Sequence, residues 1–234
     1  MKLAKALAPA YVLVILAFLM TGIIGNQAVT VMAQSDSIDR SKVFIIDAGH
    51  GGIDGGATSC TGVPESQLNL EIALRLNDLM HFLGQETIMI RTTDKSVYTS
   101  GKTIAAQKVS DLKQRVKIVN NIRNGVLISI HQNTFPDGRY SGAQVFYARD
   151  DISREVASKL QRALVSHVNP GSHRKSKRAD GIYLMEHITQ PGVLIECGFL
   201  SNVQEEAKIR SKEYQQKICA VIATTLLLHF GEGE

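Results

Sequence analysis

Residues 43–57 read Val43-Phe44-Ile45-Ile46-Asp47-Ala48-Gly49-His50-Gly51-Gly52-Ile53-Asp54-Gly55-Gly56-Ala57. A short apolar run closes on an acid and gives way to a glycine-rich stretch, the pattern of a buried strand that ends in a loop. The run is apolar without alternation, so both of its faces need cover, as in a parallel sheet with helices on either side. The same form returns at 126–130 (VLISI), which His131 follows directly, and at 193–196 (VLIE).

Between and around these runs the chain alternates strand and helix signals. Leu68, Ile72, Leu76, Leu79, Met80 and Leu83 recur at helical spacing over 65–83, and Gly84 stops the pattern. A strand is expected at 87–91 (TIMIR). A helix capped by Ser110 is expected to carry Leu112, Val116, Val119 and Ile122, ending at Asn124-Gly125. Further strands are expected at 143–148 (AQVFYA) and 181–185 (GIYLM), a helix at 151–167, and a helical C-terminus ending in the apolar stretch 218–230. The weakly periodic segment 92–110 reads as an irregular surface loop. The expected fold is α/β: one domain, 42–230, with a mostly parallel central sheet of about six strands and helices on both faces.

The first 34 residues stand apart from this pattern. Lys2 and Lys5 precede an uncharged run over 6–35 whose apolar heart is 11–24 (YVLVILAFLMTGII). A positive start followed by an apolar stretch reads as a signal peptide or a membrane anchor. Val31-Met32-Ala33 offers small residues suited to cleavage, and the uncharged run is long enough to span a bilayer if retained. Either way the rest of the chain is placed outside the cytoplasm, an orientation that Asp36 and Asp39 beyond the run also fit.

Composition narrows the function classes. The chain has 234 residues, 44% of them hydrophobic and 21% charged, which excludes disorder as its main state. Its 26 basic side chains face 22 acidic ones, and two of the basic ones are Lys2 and Lys5, so the folded part is close to balance. That argues against a nucleic-acid binder. Three cysteines, Cys60, Cys197 and Cys219, make no disulfide framework.

Reactive side chains gather at the strand ends, where open α/β sheets bind ligands. His50 follows the first strand, His131 the strand 126–130, and Glu196 closes the strand 193–196; Glu65 opens the first long helix. Two imidazoles and a carboxylate suit a zinc ion with an open position, and a further carboxylate can act as general base. Each residue has a plainer account: a surface or satisfied histidine, or an acid complementing a helix dipole in the case of Glu65. Glu196 is hardest to explain that way, because an acid after Val-Leu-Ile loses solvation without a partner. The residues alone point to a metal-assisted hydrolase.

Competing motifs fail. Ala57 stands where a P-loop needs lysine, the segment Gly49–Asp54 lacks the third glycine of a dinucleotide fingerprint, and no His-Glu-x-x-His is present. Cys197 reads as buried and inert rather than nucleophilic, and Cys60 receives no function. Arg174, Lys175, Lys177 and Arg178 form a basic run, either a solvated loop or a docking point for an anionic substrate.

Taken together, 47–57 (DAGHGGIDGGA), the Glu65-x-x-x-Asn69-Leu70 segment, 129–133 (SIHQN) and 194–202 (LIECGFLSN) resemble the four blocks of the zinc-dependent N-acetylmuramoyl-L-alanine amidases of the Amidase_3 family. The resemblance spans essentially 42–230 and is greatest to the sporulation-specific members that act on spore cortex. It implies that His50, Glu65 and His131 bind Zn2+ and that Glu196 is the catalytic carboxylate. The implied reaction hydrolyses the amide between N-acetylmuramic acid and L-alanine in peptidoglycan, preparing muramic acid for conversion to muramic-δ-lactam. Ala48 replaces a common proline and Gln132 a common alanine, and neither change touches a coordinating group. No wall-binding repeats are appended, so recruitment would rest on the N-terminal segment or on a membrane-associated protein partner that activates the enzyme. The same residues would also serve a zinc peptidase cutting within the stem peptide, or persist in a catalytically silent or partner-dependent wall-binding protein.

Overall fold

Alternate residues of the first apolar run divide between two cores. In the computed structural model, which describes residues 42–231, strand β1 (Val43–Ala48) sends Phe44, Ile46 and Ala48 to one side and Ile45 to the other. Strand β3 (Gly125–Asn133) does the same with Val126, Ile128 and Ile130 against Leu127, and β6 (Gly192–Phe199) with Val193 and Ile195 against Leu194. Both faces are therefore apolar, and each is covered by helices.

On the first face lie α1 (Glu65–Phe82), α3 (Asp151–His167) and α6 (Lys212–Gly231), which contribute Leu68, Ile72 and Leu76, then Val156, Leu160 and Leu164, then Ile218, Ile222 and Leu226. On the second lie α2 (Ile104–Asn120) and the short α4 (Tyr183–His187), with Val119, Leu184 and Met185. Burying each such aliphatic side chain stabilises the fold by about 1.5–3 kcal/mol, enough collectively to fix the layers. The remaining elements are β2 (Glu86–Met89), β4 (Gln144–Tyr147), β5 (Lys177–Arg178) and α5 (Val203–Ile209).

The six strands run in the order β2-β1-β3-β6-β4-β5. β1 is parallel to β2 and β3, β3 is parallel to β6, and β5 is parallel to β4, while β4 is antiparallel to β6. The start of β4 thus lies at the same end of the sheet as the carboxyl ends of β1, β3 and β6. The registers Asp47↔Ser129, His131↔Glu196 and Gln144↔Glu196 align that end residue by residue.

Several expectations change. The strands expected at 126–130 and 193–196 run on past His131 and Glu196, to Asn133 and Phe199. Helix α2 begins at Ile104, capped by Thr103, whose Oγ1 accepts from the Ala106 N–H at 3.2 Å. Its first two turns read as loop in the sequence because Ile104 and Val109, which point to solvent, break the periodicity. Ser110 is not a cap but a buried mid-helix residue, and its Oγ accepts from the amides of Thr99 and Ser100 at 3.1 and 3.2 Å. The segment 181–185 is not a strand. Tyr183–His187 is a helix, and the sixth strand is Lys177–Arg178, inside the basic run. Five apolar-rich residues are too few for period to separate strand from helix. The strand expected at 87–91 ends at Met89, which frees Arg91 to turn beneath the neighbouring loop.

The segment 1–34, expected to be a signal peptide or anchor, lies outside the described residues. Among the described residues no helix is long and apolar enough to cross a membrane.

Candidate metal centre and active site

His50 lies on the tight turn that follows β1. Its backbone adopts φ 60°, and the turn is closed by reciprocal bonds between Gly51 and Asp54, 2.7 Å and 3.2 Å long. The Nδ1 atom of His50 is 2.9 Å from Asp54 Oδ2, and Lys108 of α2 holds the other Asp54 oxygen at 2.7 Å. This leaves Nε2 to point inward, 3.3 Å from Glu65 Oε2. Glu65 is buried, the first residue of α1, and its Oε2 also accepts from the Ala57 amide at 3.0 Å. Its Oε1 lies 3.1 Å from His131 Nδ1 and accepts from the Gln132 amide and Asn69 Nδ2, each at 3.1 Å.

The three side chains therefore converge, each offering a donor atom within 4.8 Å of the others, and the two imidazole rings are 5.0 Å apart edge to face. Such a group could hold a metal ion. Glycine makes the approach feasible at two places. A Cβ on Gly49 would lie 2.2 Å from His131 Nε2, and one on Gly56, where φ is +69°, would lie 2.6 Å from Glu65 Oε2. Neither position has room for another side chain.

Charge follows this geometry. Burial alone would raise Glu65, but the two imidazoles bonded to it hold its carboxyl far below the usual range. Burial alone would lower His50, but Glu65 and Asp54 push it up to about 9. Glu196 differs. Its Oε2 is buried without a hydrogen-bond partner among the described residues. Burial pushes it up to about 7, with the nearby Glu65 adding to the rise and His131 and His50 opposing it. A carboxyl group in that range can carry a proton in one step and release it in the next.

The four residues singled out from the sequence, His50, Glu65, His131 and Glu196, are thus brought to one end of the sheet. What sequence reasoning missed is the support around them. Arg115 of α2, buried, bonds Asp47 and Asp111 and donates to the carbonyls of Ala48 and His50 at 3.0 and 2.7 Å. Ser129 donates to the other Asp47 oxygen at 2.7 Å. Arg91 donates to the carbonyls of Ala48, Gly49 and Ser66 at 2.8, 3.0 and 2.8 Å, tying the His50 loop to α1. Asn69 bridges Glu65, the Gly49 carbonyl and the Gln132 side chain. The sequence carries one signal: Asp47 closes an unbroken apolar run, as Glu196 does, and so also demands a partner.

The buried thiol of Cys197 is pushed well above its ordinary value by burial, as an inert cysteine should be, and Cys60 is exposed. The basic run does not stay together. Lys175, Lys177 and Arg178 are exposed, with Arg178 paired to Asp180 at 3.2 Å, whereas Arg174 turns inward over the Phe199 ring, 4.9 Å from its centroid.

Residues 44–227 match the family described as N-acetylmuramoyl-L-alanine amidase (Amidase_3). The chain is 38% identical over 197 residues to the germination-specific N-acetylmuramoyl-L-alanine amidase of Bacillus subtilis, covering 82% of this chain and 81% of that one. The structure of the CwlD amidase from Clostridioides difficile, in complex with the GerS lipoprotein, superposes with a TM-score of 0.77 at 38% identity, covering 80% of this chain and 98% of that one. An N-acetylmuramoyl-L-alanine amidase from Clostridium difficile 630 gives 0.71 at 31% identity, covering 82% and 98%. With the fold, the block order and the convergent side chains in agreement, this chain belongs to the N-acetylmuramoyl-L-alanine amidase family.

Proposed function

We propose that the chain hydrolyses the amide between the lactyl group of N-acetylmuramic acid and the L-alanine of the stem peptide, using one zinc ion held by His50, Glu65 and His131. The observation that carries this reading is the convergence of those three donors beside a carboxylate, Glu196, with an unpartnered buried oxygen. Two histidines and one carboxylate form a donor set suited to catalytic zinc. Asp54 on His50 Nδ1 is the kind of outer partner that fixes a ligating imidazole.

Bound zinc supplies Lewis-acid polarisation of the scissile carbonyl and of a water molecule. Glu196 accepts a proton from the attacking water as the new C–O bond forms. It returns that proton to the alanine nitrogen as the C–N bond breaks, leaving a free peptide amine and a lactyl carboxylic acid, which then gives up its remaining proton to the amine. Burial suits Glu196 to both steps, since a carboxyl group titrating near neutrality is neither too weak a base nor too weak an acid.

The name of the germination-specific relative supports a role in the spore, which we assign to cortex, with peptide removal ahead of muramic-δ-lactam formation. The lipoprotein complex of the Clostridioides difficile relative supports a membrane-associated protein partner, to which we assign an activating role. The domain 42–230 then works outside the cytoplasm, delivered or tethered by 1–34.

The test is to incubate the full chain with purified peptidoglycan and zinc and to read the products by mass spectrometry, beside Glu196→Gln. Peptides beginning with L-alanine, absent with the variant, are expected. Cleavage inside the stem peptide would instead make the protein a peptidase.

A further inference from the structure

Beyond β4 the site end of the sheet opens into a cleft of about 840 Å³, lined by residues of the β3–β4 loop, the segment after α3, and α5. Arg174 is its central feature. Nε donates to the Ser141 carbonyl at 3.0 Å, Nη1 reaches Gln144 Oε1 at 3.4 Å, and the guanidinium lies over the buried Phe199 ring. These contacts fix its direction but supply no counter-charge. Among the described residues no carboxylate lies within ion-pair distance of Arg174 or of the exposed Lys208 across the cleft. The acid on the wall, Glu205, is buried, and its Oε2 accepts from the amides of Gly142 and Phe199 at 2.6 and 3.3 Å. Arg139 at the rim is already paired with Asp137 at 2.6 Å. Among the described residues, the cleft thus holds two cations without an ion-pair partner, one of them pre-oriented, with Nη2 of Arg174 left without a bond. A guanidinium held in this way suits a carboxylate.

Position identifies whose carboxylate. Gln144 stands opposite Glu196 in the β4–β6 ladder, and Glu196 opposite His131 in the β3–β6 ladder. Two strand spacings place the Gln144 backbone roughly 10 Å from the His131 backbone, and the Arg174 guanidinium lies at the end of the Gln144 side chain. Three residues of extended peptide cover about the same span, at roughly 3.3 Å each.

We infer that this cleft is a subsite for the peptide side of the substrate, in which Arg174, with Lys208, binds a carboxylate carried by the second or third residue beyond the scissile amide. The inference rests on the amidase reading, because it needs the scissile bond at the metal centre. It assigns the inward arginine of the basic run to substrate and leaves Lys177 and Arg178 to the sheet edge.

The experiment uses the zinc-loaded full chain and two muropeptides, one with free peptide carboxylates and one with those carboxylates amidated. The quantity read is the KM of the free acid relative to that of the amide. Arg174→Gln should raise this ratio at least about tenfold and Lys208→Gln about threefold, the range for losing one or part of one charge-assisted hydrogen bond. A ratio that stays at the wild-type value in both variants overturns the subsite. Should Arg174→Gln fail to fold, Lys208→Gln decides alone, because its side chain is exposed and supports no packing. Calorimetric titration of the free acidic peptide, which needs no chemistry, separates the two readings. If wild type releases no peptide beginning with L-alanine but still binds the acidic peptide more tightly than Arg174→Gln does, the amidase reading fails and the carboxylate subsite stands. If wild type and variant bind that peptide equally, the subsite fails whatever the activity.

Discussion

Arg115 and Arg174 lie at the same end of the sheet, one bonded to the loop that carries His50, the other facing the cleft beyond β4. Arg115 is fully buried, meets two carboxylates and donates to two loop carbonyls. Arg174 is half-buried, meets no carboxylate, and is held by an aromatic ring, the Ser141 carbonyl and the Gln144 side-chain oxygen. The same contrast extends to their surroundings. Around His50 nearly every polar atom is spoken for, through Arg91, Asn69, Asp54 and the backbone amides that saturate Glu65. Around the cleft, Phe135 and Tyr140 stand about half exposed. The region expected to do chemistry is held rigid from behind, and the region expected to take substrate keeps its bonding capacity unspent. Support bonded from several elements at once is what a constellation of ligands needs to hold its geometry.

This contrast can be broken in graded ways. The largest effect falls on Glu196. Glu196→Gln should lower kcat by about 10²–10⁴-fold, the usual share of a general acid–base group. Its zinc content, read by elemental analysis, should match wild type; zinc lost with activity would make Glu196 a ligand rather than a base. Next comes Arg115→Met, which strands Asp47 and Asp111 in the interior. Breaking a buried pair from one side costs about 3–5 kcal/mol, to be read as a fall in the urea midpoint. Asp54→Ala should leave the fold standing and weaken zinc binding by about 10–100-fold in a chelator competition, because it only orients His50. On the open side, Phe135→Ala should shift stability by less than about 0.5 kcal/mol, as exposed substitutions do. A loss there as large as that at Arg115 would erase the distinction between the two regions.

Acid should expose the same asymmetry. Burial on its own would raise Asp47, but Arg115, Ser129 and His131 together hold its carboxyl below the usual range. A folded pKa below the unfolded value, near 3.9, means that the group's contribution is complete above that value and is lost as pH falls through the folded one. Urea midpoints measured from about pH 6 down to about pH 2 should therefore drop in the acid range, and Asp47→Asn should flatten that drop. An unchanged slope in the variant would show that other carboxylates govern acid unfolding.

Much of the site was legible because of where strands end. An apolar run interrupted by His131 or Glu196 announces both the strand and the polar residue that its core cannot absorb, and Gly49 and Gly56 mark a backbone that must come close to something. The supporting arginines were not legible in the same way. Arg115 sits on a helix whose exposed positions hide its inward face, and Arg91 follows a strand that ends earlier than its apolar pattern. Both contacts span more than 40 residues of sequence, to Ala48 in each case, and nothing local encodes them. The exchange of a strand for α4 at Tyr183–His187 has a different cause: buried Leu184 and Met185 satisfy either period over so short a stretch.

Gly49 has a consequence for how such a protein tolerates change. It has no side chain to offer and sits before the turn, yet a single added methyl would occupy the space of the His131 ring. In a saturation screen scored on wall-degrading activity, this position should be as intolerant as the histidines themselves. Residues that act only by being absent from a volume would then appear in the functional map alongside those that act by chemistry.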